Sequence, residues 1–545
     1  MWSERMKKGM NFVKGFISFS EGCVRLLLFL TVGLLFGMSF FRTSVVSGYE
    51  EHTDYLVDSL GSHLGVLAGL VVIIILLKVC QLAKKHKTSN LPCKPNHKLL
   101  KWCFYVSFSG NLCLAWYWVL HTQLKPLGDA QILWNIAKEM LDGNYSSFQY
   151  LGYAERHFNQ TGMLFFLNWL MGIVGYENQL VLQFINVGAL GLLQFFQMKI
   201  AKELFKETVG YCTGILCVLF FPVSLYVVFT YSNLLSWALI AGAFYGELRF
   251  LNTGKKRLCL LMAGMLIAAV LLKSFSWIAL IAMGIVAVYA CLDSIASPKN
   301  ISASAKENTQ PIPIEQESSS LFLLGMIVIS MVLILCCNQL MNHIISQKTG
   351  ESERRTMPAH GYVAMGMQES YMAPGWYNGI HDVTYLESEG IKEVMIPVFQ
   401  DMIAYRIEEF KQNPGYMAWF YYHKIASQWN NPSFQGFWFG EISEAQTTVP
   451  QWITSVYQGE LRGKLDWYLN ELHMLILLGI LLCLCLNRKK MGIKELLPGI
   501  YFFGGFLFLL FWEAKCQYTL GFFLALLPYS AAGYYALFKR MISKQ

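Results

Sequence analysis

The sequence predicts an all-α polytopic membrane protein with a small extracytoplasmic domain, and three observations predict it. Of its 545 residues, 55% are hydrophobic and 14% charged, whereas about a quarter of a soluble chain is charged. Apolar runs of roughly twenty residues recur, long enough to cross about 30 Å of hydrocarbon as helices. Basic residues stand in short clusters beside these runs, where they set topology and meet anionic headgroups. That clustering gives the net charge of +8 a membrane explanation and no reason to invoke nucleic acid. The 14 cysteines show no metal-ligand spacing. The polar region 344–465 has none, as expected of an exported domain from a bacterium without strong oxidative folding.

In chain order, Arg5, Lys7, Lys8 and Lys14 place the N-terminus in the cytoplasm. The run from Cys23 to Phe41 lacks a small-residue cleavage site and reads as an uncleaved first span. A loop with Glu50, Glu51, Asp54 and Asp58 follows outside. A second span near His63 to Ala83 returns to Lys84, Lys85, Lys87, Lys94, Lys98 and Lys101. Residues 1–101 thus read as a two-span extension. The core, 102–293, opens with a span from Trp102 to Thr122 that delivers the first outer loop, 123–160, to the outside.

In that loop Ile132, Leu133, Ile136, Ala137, Met140 and Leu141 recur at helical spacing, which predicts an amphipathic helix along the membrane surface. Asp142-Gly143-Asn144 ends it. Asp129 lies just beyond the span, and Glu155-Arg156-His157 precede the return to lipid. A carboxylate at the mouth of a bundle, with basic residues nearby, suits chemistry on a charged, lipid-borne substrate; an ordinary wet loop is the other reading.

The interval Thr161 to Met198 holds two apolar halves. Two crossings would put Lys199, Lys202, Lys206, Lys255, Lys256 and Arg257 outside, and the large polar region inside. One net crossing satisfies the charge rule, so Thr161 to Val174 is expected to be re-entrant. Spans near Val209 to Phe229 and Leu234 to Leu251 are joined outside by Thr230-Tyr231-Ser232-Asn233. The block Cys259 to Leu292 is too long for one helix and breaks at Lys273 on the outer face. An ionisable residue there is a functional candidate, with snorkelling to headgroups as the alternative.

Ser294 to Ser320 reads as a disordered cytoplasmic linker. A span over 321–343 follows, and then an outer domain at 344–465. Within it, Met357 to Tyr385 reads as loops, Val394 to Gln412 as a helix stopped by Pro414, and Met417 to Trp429 as a helix on the bilayer surface. The C-terminal part, 466–545, has spans at Trp467 to Leu486, Leu497 to Phe511 and Leu520 to Phe538. WEAKCQYT (512–519) turns outside between the last two. The total is about twelve to thirteen membrane segments, with both termini cytoplasmic.

Asp129, the pattern Ala137-x-x-Met140-x-x-Gly143-x-Tyr145 and the WEAKCQYT turn resemble the GT-C membrane glycosyltransferases. The closest branch is the family 39 type: protein O-mannosyltransferases, the lipid A aminoarabinose transferase and their Gram-positive relatives. The resemblance runs from about Trp102 to Lys539. It departs at Asp129-Ala130, where some relatives have Asp-Glu; at His157-Phe158, where many have Tyr-Pro; and at Gln517, which replaces a usual basic residue. It implies a bundle of that type in a bacterial plasma membrane, with the active site outside. The reaction implied is inverting transfer of a sugar from a polyprenyl (undecaprenyl) phosphate donor to a glycan, lipid or protein acceptor of the cell envelope. Asp129 would be the general base. Lys273, Lys515 and Arg156 would neutralise the departing phosphate. His157, Glu513, Tyr518, His360, Trp376, Tyr377 and Asn378 would line the sugar and acceptor cavity. No cofactor and no metal are expected: DxD, Walker, HExxH, CxxC and GxGxxG motifs are missing from the sequence. The rival class is a transporter or flippase of lipid-linked saccharides, which should show internal repeats and charges near the bilayer midplane. No repeat is visible, and the candidates gather at one face.

Overall fold

A computed structural model describes residues 2–87, 97–176, 178–296, 315–351 and 355–543. Most of the expected linker and Lys94 lie outside the described residues. The chain is helical almost throughout, as expected of a chain that must satisfy its backbone polar groups within lipid. Seven helices are long and apolar enough to cross a membrane, and two bent pairs raise this to as many as nine. Three shorter apolar helices, Leu60–Leu76, Arg257–Leu272 and Leu497–Phe511, stand beside them. One bent pair, Glu207–Leu219 with Pro222–Val228, turns by 55° at Pro222, which has no amide to continue a helix. The other, Cys516–Leu524 with Leu527–Met541, turns by 48°.

Small residues set the closest helix contacts. A Cβ on Gly533 would stand 1.9 Å from the Gly479 carbonyl oxygen, so the helices Glu460–Leu486 and Leu527–Ser543 approach backbone to backbone. The same argument fixes the helix Thr161–Val174. A Cβ on Gly162 would lie 1.9 Å from the Leu271 carbonyl oxygen, which ties the start of that helix to the residues before Lys273. Its 14 residues advance about 21 Å, short of a bilayer core. The following helix, Leu180–Leu204, has 25 residues and does reach across.

Two features differ from the sequence reading. The loop after the first span is a β-hairpin, with β1 (Arg42–Ser47) antiparallel to β2 (His52–Val57) in the register Arg42↔Val57 and Ser47↔His52. Both free edges are taken by the segment 344–465: Ser44 N donates to Asn430 O at 3.1 Å and Thr53 N to Met372 O at 3.0 Å. Residues 1–101 are therefore stitched to the part of the chain above the bundle. Second, the stretch expected as loops contains two short helices, Ala359–Gly366 and Ile380–Glu387. They pack around Met357, Tyr385, Met395 and Phe399, a small core that only the longer helix Lys392–Gln412 completes. At Pro414 the chain does break, and it starts a new helix, Pro414–Trp429, at once. The Asn413 side chain accepts from Tyr416 N, and proline sits where no helical amide is needed.

Candidate active site

Three breaks between longer helices meet at one end of the bundle. The first is 230–233. The second is the break after Leu272, where Lys273 is extended and a single 3-10 turn, Ser274–Ser276, follows. The third is 512–515, ahead of the helix Cys516–Leu524. Lys273 Nζ donates to Asn233 Oδ1, and Asn233 Nδ2 donates to Gln517 Oε1 at 3.3 Å. The Lys273 ammonium stands 5.1 Å from the Tyr231 ring centre and 5.6 Å from that of Tyr518, near enough for cation–π attraction. A recess beside it is lined by Asn159, Gln160, Tyr231, Lys273, Ser274, Phe275 and Tyr518.

Lys515 reaches the same place from the third turn. Its Nζ lies 2.7 Å from a carboxylate oxygen of Glu51, a buried residue at the tip of the hairpin. Tyr518 Oη is 3.4 Å from Glu513. Burial pushes the Lys273 ammonium down to about 7, Lys515 adds to that, and Asp129 and Glu513 oppose it. Burial lifts the Glu513 carboxyl to about 7, with Lys515 lowering it and Asp129 and Glu51 raising it further. For Lys515, burial lowers the pKa, but Glu51, Asp129 and Glu513 together outweigh it and hold the group above its ordinary value. Lys515 is thus a fixed cation, whereas Lys273 and Glu513 are poised near neutrality.

Asp129 opens the helix Asp129–Leu141 and is exposed. Burial raises the Tyr153 hydroxyl's pKa and the Asp129 carboxylate adds to that rise, while its charge also acts on His157, Tyr231, Lys273, Glu513 and Lys515. The surface helix places it there by burying Leu133, Trp134, Ile136, Ala137 and Met140 against Leu164, Leu167 and Met171. His157 lies against Tyr153, with ring centres 4.4 Å apart, and its Nδ1 is 3.3 Å from the Tyr362 hydroxyl. Burial pulls it down to about 4, with Asp129 working against that, so it is neutral at pH 7.

Asp129, His157, Lys273, Glu513, Lys515 and Tyr518 therefore converge. Of the other candidates, Arg156 adjoins His157 and acts on its charge. Arg156 is paired with Asp382 at 2.5 Å, and Asp382 also accepts from the Tyr377 hydroxyl at 2.9 Å. Trp376 is fully buried and donates to Ser427 Oγ at 2.8 Å, so it packs within the segment 344–465. Asn378 ties down its own loop, donating to Glu369 O at 3.2 Å and accepting from Ile380 N. His360, on the first turn of Ala359–Gly366, makes none of the cluster's contacts among the described residues. Sequence reasoning missed Glu51, Tyr153 and Lys424. The alternating, β-branched run on either side of Gly48 would have signalled the hairpin. Nothing local singles out Lys424. It is wholly buried and donates to Gly366 O and to Trp512 O, the latter at 2.9 Å.

Among the described residues no group of three His, Cys, Asp or Glu side chains is placed to hold a metal ion. No family model matches the chain, and no curated protein matches it. Among solved structures the chain is similar to the crystal structure of the Archaeoglobus fulgidus oligosaccharyltransferase, tethered with an acceptor peptide through a disulfide bond. The two are 13% identical at a TM-score of 0.39, with 81% of this chain and 50% of that chain covered. This chain thus spans about half the length of that protein.

Proposed function

We propose that this protein is a GT-C type glycosyltransferase of a bacterial plasma membrane. It moves a sugar from a polyprenyl phosphate donor, undecaprenyl phosphate in a bacterium, to a hydroxyl of a cell-envelope acceptor on the outer face. One observation carries the reading. The charge of an exposed carboxylate, Asp129, acts on two cations, Lys273 and Lys515, that come from distant parts of the chain. In the reaction the acceptor oxygen forms a bond to the anomeric carbon while the bond from that carbon to the phosphate oxygen breaks. The electron pair leaves on the lipid phosphate, the hydroxyl proton passes to Asp129, and the single displacement inverts the anomeric centre. Lys515, held charged by Glu51, offers a standing counter-charge to the leaving phosphate. Lys273 gains its proton fully as that anion arrives, because an adjacent negative charge raises an ammonium pKa. Glu513, lifted by burial to about 7, keeps part of its proton at neutral pH and so competes less for the two cations than an ordinary carboxylate.

The test is Asp129→Asn. The amide keeps the shape but accepts no proton, so turnover with a lipid-phosphate sugar falls about 10²–10⁴-fold while release of the protein from the membrane and donor binding are unchanged. Asp142→Asn, at the other end of the same helix, is the control and keeps wild-type turnover. Equal rates for Asp129→Asn and wild type would remove Asp129 as the base.

A further inference from the structure

At the opposite end of the bundle lies a cavity of about 530 Å³ between three segments, 204–209, 485–489 and 532–540. The helix Leu180–Leu204 separates the two ends. Gln183, near its start, donates to Leu124 O in the first outer loop at 2.8 Å, and Leu204, in the cavity wall, lies about 32 Å further along at 1.5 Å per residue. Five cations line the cavity, Lys206, Arg488, Lys489, Lys539 and Arg540, and no carboxylate does. All five are exposed. Arg540 donates to Leu486 O at 2.7 Å, and none of the five is in an ion pair among the described residues. The remaining walls are largely apolar, with Phe205, Val209, Leu486, Ala532 and Ala536.

This is more than a topology signal. Basic residues that only retain a loop on one side of a membrane need no shared concavity, and usually find carboxylate neighbours or bulk water. Here they line one open concavity in the size range of small-ligand sites, whose other walls are largely apolar and which no carboxylate lines. A phosphate-bearing headgroup satisfies the cations, and its glycerol and first acyl carbons satisfy the walls. A free phosphate would meet the same cations but leave the walls uncovered. We infer that the cavity lined by Lys206, Arg488, Lys489, Lys539 and Arg540 binds the phosphate-bearing headgroup of an acidic membrane lipid, on the side away from Asp129. The site makes no use of the Asp129 cluster and stands whether or not that cluster transfers sugar.

The experiment uses the full chain in neutral detergent, with native mass spectrometry after addition of cardiolipin, phosphatidylglycerol or phosphatidylcholine. Wild type retains the two acidic lipids in preference to phosphatidylcholine. Lys489→Gln with Lys539→Gln weakens retention of the acidic lipids about thirtyfold, at roughly fivefold per basic residue near a headgroup. Lys255→Gln with Arg257→Gln, two exposed cations outside the cavity, leaves retention as in wild type. Size-exclusion profiles of both double variants match wild type, because every substituted residue is exposed. Three outcomes overturn the inference: no preference for acidic lipid in wild type, equal losses in both double variants, or displacement of bound lipid by millimolar inorganic phosphate, which would make the ligand a free anion.

Discussion

At the scale of single residues, the cluster works by holding two neighbouring lysines in different states. Lys515 has a carboxylate 2.7 Å away, while Lys273 has an amide oxygen, the rings of Tyr231, Phe275 and Tyr518, and more distant charges. Burial therefore wins at Lys273 and loses at Lys515. If donor capture needs both charged, kcat/KM for the lipid donor falls as pH rises through about 7, the value to which Lys273 is depressed. A guanidinium stays charged throughout this range, so Lys273→Arg shifts the alkaline limb upward by more than two pH units. A limb that stays near pH 7 in Lys273→Arg would assign the titration to Glu513 instead. Glu51→Gln removes the carboxylate that keeps Lys515 charged, leaving burial to lower its pKa. Lost charge-assisted hydrogen bonds of this kind are worth about 1.5–3 kcal/mol, so donor affinity in Glu51→Gln drops roughly tenfold to a hundredfold by the same titration. The sequence showed Asp129, Lys273, Glu513 and Lys515 as ionisable residues at membrane boundaries. It could not show that Glu51 joins them, because its partner lies more than 450 residues away in the chain.

At the scale of elements, the segment 344–465 is clasped to the bundle by one buried lysine. Lys424 donates to Gly366 O in one turn and to Trp512 O in the other, and Ala514 N donates to Gly375 O at 2.7 Å alongside. Glycine is needed where these strands of backbone cross: a Cβ on Gly366 would stand 2.4 Å from the Phe511 and Trp512 carbonyl oxygens. Lys424→Met leaves two buried carbonyls without a donor, at about 1–3 kcal/mol each, so its thermal midpoint in detergent falls clearly below wild type. Burial holds the Lys424 ammonium at about 7 against an ordinary 10.5. Between those values the unfolded chain binds more protons than the folded one, so this group makes stability rise with pH from about 7 to 10.5. Lys424→Met flattens that rise; an unchanged pH slope would mean that Lys424 is not the titrating group. The elements themselves were mostly legible. Apolar helices follow from composition and length, and the helix Asp129–Leu141 from its spacing. The short helices Ala359–Gly366 and Ile380–Glu387 were not, because eight residues each carry too few turns for a periodic signal and depend on packing for stability.

At the scale of the whole molecule, the cluster with Asp129 and the cavity with Arg488 and Arg540 occupy opposite ends of one bundle. A reporter fused within 297–320 should read cytoplasmic and one near Gly390 external. The same side for both would undo the single net crossing over Thr161 to Met198. That helix of 14 residues is the element on which the parity rests. The sequence by itself determined the polytopic helical class of the protein, the approximate limits of the apolar helices and the break at Lys273; its twelve to thirteen segments compare with seven to nine helices long enough to cross among the described residues. Each of these depends on transfer of residues from water to lipid, which is local and additive along the chain. Only the tertiary structure decided which polar residues share a site. It drew Glu51 to Lys515, committed Arg156 to Asp382, buried Trp376 against Ser427 and gathered Lys206, Arg488 and Lys539 around one cavity. Those pairings are between residues far apart in the chain. They follow from how helices pack through contacts such as Gly479 with Gly533 and Gly162 with Leu271, and packing of that kind leaves no periodic trace in the order of residues.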